Sequence, residues 1–510
     1  MRERNTIINS VTGVIMQIFL IFISFITRTV FIKYLGQYYL GINGLFSNIL
    51  TILSLSELGI GSAIVFNMYK AVSEHDIYQL KSLLTFYAKV YHFLAGMIFI
   101  AGIFLTVFLP FLIKDNPYDI NYVRTVFLFV LINTAVSYLG SYRSCIIFVN
   151  QKNYLIKICG GLTSLCCSLV QMIAIVVFRN YVVYLTVQIV FTLINNLVIF
   201  LLAKKMYPEI YVDKKCKLDL KTINVIKKKI SALIIHKFSS TITNGTDNII
   251  LSKFVGLIAV GQYSNYSLII SNIQAVTELA TNGVVASMGN LIAEKNADIV
   301  FEVYKKIQFI CFYISYFCSV SLLVLLTPFI KIWVGEEYLF SRLIEIVLVL
   351  NFYIIGMRKA VLITRNAGGL YDKDKEAAIV KPVLNLLISI VGAAFYGIIG
   401  IFVGTLVSSI ISDIIISPYK LYNYYFKKSF RGYVHMYIVY FLITVCTYCF
   451  CEIFVGIFSI WITNSILMFG VRIAICIGIP NFLFFICFRK SDEFQYLIGL
   501  LRRLHDFTTL

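Results

Sequence analysis

Apolar residues fall in long runs separated by short polar segments, and this pattern recurs from Ser10 to Phe488. A bilayer core about 30 Å thick needs roughly 20 apolar residues per helix, at about 1.5 Å rise each. The runs predict transmembrane helices over residues 10 to 33, 40 to 66, 83 to 109, 123 to 148, 158 to 178, 182 to 203, 232 to 253, 262 to 288, 307 to 328, 343 to 366, 382 to 397, 399 to 418, 434 to 456 and 461 to 488. The fold class is therefore an all-α integral membrane protein with about fourteen spans, or twelve if the C-terminal pair is set aside. Two of the spans are short and must be separated by a tight turn at Tyr396-Gly397.

Inside several spans the polar residues share one helical face, because positions i, i+4 and i+7 lie on the same side. Gln17, Ser24 and Arg28 line up on the first span, and Asn43, Ser47, Thr51, Ser54 and Glu57 on the second. His236, Ser240, Thr243 and Asp247 do so on the seventh, and Ser267, Ser271, Gln274, Glu278 and Asn282 on the eighth. The tenth adds Asn351, Arg358 and Arg365. An Arg, Lys or Asp at the centre of a membrane helix costs roughly 2.5 to 3.5 kcal/mol, so each is a candidate for a water-filled cavity or a substrate path. The blander role is glue between helices, which Ser, Thr and Asn often supply. Lys89, Arg143, Lys237 and Arg365 lie near predicted cytoplasmic ends, within reach of the headgroups, and Lys89 is expected to snorkel. Arg143 shares its face with Val136, Leu139, Gly140 and Ile147, and Arg472 sits mid-span among apolar residues with no evident partner. His236 ranks below Asp247, since a lone membrane histidine is more often a neutral hydrogen-bonded side chain than a proton relay.

Composition narrows the class. The chain has 510 residues, of which 59% are hydrophobic and 14% charged, with a mean hydropathy of +0.86. A soluble enzyme is nearer half apolar and a quarter charged, so that class is excluded. The formal charge of +19 sits mainly in alternate connections. One side collects Arg2, Arg4, Lys70, Lys81, Lys152, Lys157, the lysine-rich segment from Lys204 to Lys229, Lys295, Lys375, Lys381, Lys420, Arg489 and Arg503. The positive-inside rule puts that side, and both termini, in the cytoplasm. Basic loops beside an anionic leaflet account for the charge without nucleic acid. The first span follows Met1-Arg-Glu-Arg-Asn5 and lacks a small-residue cleavage pattern, which reads as an uncleaved helix. Most cysteines lie within apolar runs, and Cys446-Thr-Tyr-Cys449 is read as packing, having no βαβ context for a redox pair.

A shift of 220 residues aligns Lys33-Tyr-Leu-Gly36 with Lys253-Phe-Val-Gly256, Gly41 with Gly261, Ser47 with Ser267, Met68 with Met288 and Glu74 with Glu294. Six spans separate the copies, so the halves have the same orientation and are related by an axis along the membrane normal, a common transporter build. The expected domains are an N-terminal lobe over 1–203, a basic cytoplasmic linker over 204–231, a C-terminal lobe over 232–420, and a helix pair with a basic tail over 421–510.

The stretch Arg28-Thr-Val-Phe-Ile-Lys-Tyr-Leu-Gly36, with Gly41-Ile-Asn-Gly-Leu-Phe-Ser47, Leu55-Ser-Glu-Leu-Gly-Ile-Gly-Ser62 and Tyr396-Gly-Ile-Ile-Gly-Ile-Phe-Val-Gly-Thr405, resembles the Wzx-like polysaccharide flippases of the multidrug/oligosaccharidyl-lipid/polysaccharide (MOP) superfamily. The resemblance implies a two-lobed bundle that moves an undecaprenyl-diphosphate-linked oligosaccharide between leaflets of the cell membrane. It further implies a cationic cavity, in which Arg28, Arg358, Arg365, Lys237 and Arg143 would meet the diphosphate. Glu57, Asp247 and Glu278 would either pair with those bases or bind a coupling H⁺ or Na⁺. Gln17, Ser24, Asn43, Gln274, Asn282 and Asn351 would line the cavity. The implied partners are the lipid-linked sugar, membrane lipids, and a polysaccharide polymerase or glycosyltransferase, with the chain itself a monomer.

Three other readings stand beside this one. A drug or organic-cation exporter of the same superfamily would use carboxylates and aromatics, and a peptidoglycan-precursor flippase would differ little in pattern. A membrane polymerase needs a sizeable outer loop, whereas the longest outer connections run only from Pro110 to Tyr122 and from Pro328 to Arg342. No metal-ligand spacing, nucleophile elbow or phosphate-binding glycine loop occurs, so no cofactor, metal or hydrolytic motor is expected.

Overall fold

The computed structural model describes residues 2–54, 60–114, 116–211, 218–370 and 374–499; Glu57 falls outside them, as do the side chains of His236, Lys237 and Asn282. The described chain is helical throughout and divides into two compact units, Met1–Ser264 and Asn265–Leu510.

In the first unit α1 (Arg2–Leu35), α2 (Gln37–Leu53), α3 (Ile60–Ser73), α4 (Ile77–Leu105), α5 (Leu109–Leu112) and α6 (Ile120–Ser141) are followed by α7 (Ser144–Val149), α8 (Asn153–Phe178), α9 (Tyr181–Met206) and α10 (Leu220–Phe254). Helix starts are written in the sequence as polar caps. Asp76, Asp119 and Asn180 each accept a hydrogen bond from a first-turn backbone N–H, satisfying donors that apolar surroundings would leave stranded. The core centres on Leu45, Phe46, Phe127 and Tyr181, with Phe46 and Phe127 edge to face.

Helix α11 (Leu257–Glu294) starts in the first unit and continues in the second. There follow α12 (Ala297–Trp333), α13 (Arg342–Met357), α14 (Lys359–Ala367), α15 (Lys375–Tyr396), α16 (Ile398–Ser409), α17 (Ser417–Lys420), α18 (Phe430–Trp461) and α19 (Ser465–Phe488), with π-helical stretches Ile410–Ile416 and Leu421–Phe426 flanking α17. The C-terminal pair α18 and α19 packs on α12, where Phe312 stacks on Tyr440 at 3.8 Å between centroids and Tyr316 donates to the Pro480 carbonyl at 2.9 Å. The predicted turn at Tyr396-Gly397 is present, with Gly397 at φ +59°, and a Cβ on Gly392 or Gly400 would strike the other's backbone.

Among the described residues, eleven helical stretches are long and apolar enough to cross a membrane. The other three predicted spans, 40 to 66, 232 to 253 and 262 to 288, are helical over their described residues but are not among those eleven. Within 40 to 66 the described residues form α2 and α3, 17 and 14 residues long, with residues 55–59 outside the description; in the other two spans the polar stripes dilute the hydropathy. The chain is a multi-pass membrane protein.

The 220-residue repeat has a physical counterpart inside the first unit. Gly36 and Gly256 both sit at helix junctions with positive φ, +86° and +125°, a region glycine enters without a Cβ clash. A Cβ on Gly41 would run into the carbonyl of Leu257, and one on Gly261 into the carbonyl of Gln37. Residues 37 and 41 become 257 and 261 under the same shift, so the two contacts exchange, as an isologous contact requires. Glycine is needed at both places because backbone meets backbone there.

The partner of Arg472 also emerges. Pro328 interrupts α12, and having no N–H it leaves the carbonyl four residues earlier, Val324, without its helical donor. Arg472 of α19 donates to that carbonyl at 3.2 Å. In hydrocarbon no water is at hand to do so. Arg472→Leu should therefore destabilise the protein in detergent by about 1 to 3 kcal/mol. In a Pro328→Ala background, where the helix supplies its own donor, the same change should cost little. Equal losses in both backgrounds, read from thermal midpoints, would remove the carbonyl from the account.

Candidate functional site

In the first unit the α1 stripe places Gln17 and Ser24 half-buried, with the Ser24 hydroxyl returning to the Ile21 carbonyl at 2.7 Å. Arg28 is different. Its Nη1 is buried and has no hydrogen-bond partner among the described residues, and its guanidinium lies within electrostatic range of the phenols of Tyr181 and Tyr184. Asn43 is half-buried on α2 and Asp247 is buried on α10. Arg143 occupies the break between α6 and α7, where Nε donates to the Tyr142 hydroxyl at 3.2 Å and the guanidinium lies 4.4 Å over the Phe200 ring. Cation–π stacking of this kind holds a cation in a poor solvent.

In the second unit the positive charges gather along α13, α14 and α15. Arg358 stands at the joint between α13 and α14, and its Nη1 is 3.1 Å from Asp413 Oδ1. Asp413 is fully buried, and its other oxygen receives Lys381 Nζ at 2.5 Å. One carboxylate thus serves two cations. Lys381 was expected among the cytoplasmic loop charges; it lies instead inside α15 with its side chain 10% exposed, because Asp413 compensates its burial. Neither Asp413 nor the Lys381 pairing was anticipated. An acid in the apolar run Ile410-Ile-Ser-Asp-Ile-Ile-Ile416 was itself a visible signal of membrane charge.

Arg365 is committed to Asp374, with Nη1 to Oδ2 at 2.6 Å, while Asp374 Oδ1 accepts from the Ser417 hydroxyl. These residues border a cavity of about 80 Å³ lined also by Lys420, Leu370 and Tyr424. Lys359, which lies outside the polar stripes predicted from the sequence, donates to the Thr277 hydroxyl at 2.6 Å and lies within electrostatic range of Glu278, an exposed acid on α11. Gln274 borders the same small pocket as Thr277 and Lys359. Asn351 is buried and donates to the Phe402 carbonyl at 3.2 Å, joining α13 to α16. The structure thus brings Arg358 together with Asp413 and Lys381, and Arg365 together with Asp374. Among the described residues, no group of three or more His, Cys, Asp or Glu side chains is arranged to hold a metal.

No family model and no curated protein matches this sequence. Solved structures do. The Lipid II flippase MurJ, in an inward closed conformation, superposes with a TM-score of 0.68 at 16% identity, covering 94% of this chain and 99% of its own. An inward-facing multidrug resistance MATE family transporter of the MOP superfamily gives 0.63 at 13%, over 81% and 97%. The fold is that of the MOP superfamily. A third structure with this fold, a MOP superfamily transporter from Pyrococcus furiosus, gives 0.58 at 12% over 84% and 97%, and is described by the reverse polarity of its binding pocket, suggesting a different function. Identities this low establish the MOP fold and leave the substrate to the chemistry of the side chains.

Proposed function

We propose that this protein is a flippase that moves undecaprenyl-diphosphate-linked oligosaccharide units from the cytoplasmic to the outer leaflet of the cell membrane, for surface polysaccharide synthesis. It works by alternating access, as a monomer without enzymatic activity or cofactor, with both termini in the cytoplasm. The observation that carries the reading is the cluster of Arg358, Lys381 and Asp413, in which a buried lysine and a half-buried arginine share one buried carboxylate. An uncompensated positive charge in a membrane is costly, and it is worth keeping where an anion completes it during the working cycle.

A diphosphate suits the site. Guanidinium groups bind phosphate oxygens through two parallel hydrogen bonds and keep their charge in a poor solvent. In the first unit, Arg28 with its unsatisfied Nη1 is a guanidinium of the same kind. An organic cation, the substrate of the rival exporter reading, would be repelled by the same net positive charge. As an anionic headgroup moves outward, an inside-negative potential contributes about 2.3 kcal/mol per charge per 100 mV, so counter-transport of H⁺ or Na⁺ at Asp247 or Glu278 is optional. The peptidoglycan precursor is the second reading, favoured by the extent of the superposition on the Lipid II flippase.

Depleting the protein should make lipid-linked repeat units accumulate on the cytoplasmic leaflet, measured by leaflet-selective labelling of the headgroup. Accumulation of the peptidoglycan precursor instead would select the second reading. No accumulation of either, with export of an organic cation impaired, would overturn both.

A further inference from the structure

We infer that Asp413 is a placeholder for the substrate's phosphate: it holds Arg358 in position while the site is empty and gives it up when the anion arrives. The inference rests on the proposed function and adds a positioning residue to it. It starts from an asymmetry in the cluster. Asp413 Oδ2 is tightly bonded to Lys381, a side chain 10% exposed, whereas Oδ1 meets Arg358 at 3.1 Å without hydrogen-bond alignment. Arg358 is 22% exposed, its Nε has no hydrogen-bond partner, and it stands where α13 gives way to α14. Arg358 is thus the partner that can leave, and Lys381 the one that stays.

The backbone around the carboxylate fits that role. Asp413 lies in the π-helical stretch Ile410–Ile416, a distortion that turns a side chain out of register with its helix and recurs at functional sites. Ser412, one residue before it, donates to the Ala377 carbonyl of α15 at 2.9 Å and fixes the stretch against the helix that carries Lys381. From α18 the neutral phenols of Tyr433 and Tyr437 lie within electrostatic range of the carboxylate. When Arg358 turns to a phosphate, Asp413 and Lys381 remain as a neutral buried pair, so no unpaired acid is left in the membrane. Release of the headgroup then returns Arg358 to Asp413. The carboxylate limits affinity so that the substrate can leave.

The test is binding of undecaprenyl diphosphate to purified protein in nanodiscs, alongside export in cells. Asp413→Asn removes the competitor and raises the cluster charge, so binding should tighten by about tenfold or more while export slows. Lys381→Met leaves the carboxylate to Arg358 alone, so binding should weaken by a similar factor. The double variant Asp413→Asn/Lys381→Met restores the wild-type cluster charge and should bind near the wild-type level, which a merely disrupted fold could not do. If wild-type protein binds and Arg358→Ala does not, but Asp413→Asn and Lys381→Met both weaken binding, the placeholder role is wrong. Binding by Arg358→Ala equal to the wild type would also overturn the placeholder role, whereas no binding by the wild type itself would put the proposed function at fault instead.

Discussion

Replacing Arg358 by alanine is expected to lower export of the lipid-linked sugar by about 100-fold, with insertion and abundance near normal. The size follows from what is removed. Two charge-assisted hydrogen bonds to phosphate contribute about 1.5 to 3 kcal/mol each, and losing even one accounts for roughly a factor of ten to a hundred. The charge of the cluster falls as well, because Lys381 and Asp413 remain as a neutral pair. Folding should tolerate the change, since Asp413 keeps its shorter bond to Lys381 and is not left as a bare acid. Arg358→Lys keeps the charge but loses the fork, and should fall between, about tenfold below the wild type. Export is read as surface polysaccharide per cell beside the pool of lipid-linked precursor. Full export by an Arg358→Ala protein that inserts normally would place the arginine outside the substrate path.

The course of the fold was legible because a bilayer imposes one length and one polarity on every span. Apolar runs gave the helices, and the glycine at 397 gave the α15–α16 turn. Helix starts were less legible: the Asp76 cap begins α4 at Ile77, ahead of the apolar run that predicted a span from residue 83. Tertiary pairing was harder to read. Asp413 and Lys381 are 32 residues apart on different helices, and nothing in either segment alone names the other. Lys381 looked like one more basic residue at a cytoplasmic end, because its distance from the end of the apolar run is that of a snorkelling lysine. Arg472 had no partner in sequence because its partner is a backbone carbonyl, exposed by a proline in another helix. Helical periodicity reports which face a residue occupies, and Arg365 shows the limit of that: it shares the α13–α14 stripe with Arg358 yet is spent on Asp374.

Gly41→Ala and Gly261→Ala should each destabilise the first unit by about 3 kcal/mol, a large effect for one methyl group. The added Cβ meets a backbone carbonyl in both cases, Leu257 or Gln37, and a carbonyl held in a helix cannot turn aside as a side chain can. The start of α11 must then move off α2. Gly96→Ala on α4 is the control, since a Cβ there meets nothing within 4 Å, and it should be neutral or slightly stabilising through helix propensity. Thermal midpoints and the monodisperse fraction after gel filtration in detergent measure the three variants. The double variant decides whether the repeat is physically one contact. Once one methyl has pushed the helices apart, the second finds room, so the combined loss should be clearly smaller than the sum. Additive losses would mean that the two glycines serve separate contacts, and that the exchange of residues 37 and 41 with 257 and 261 has no energetic content.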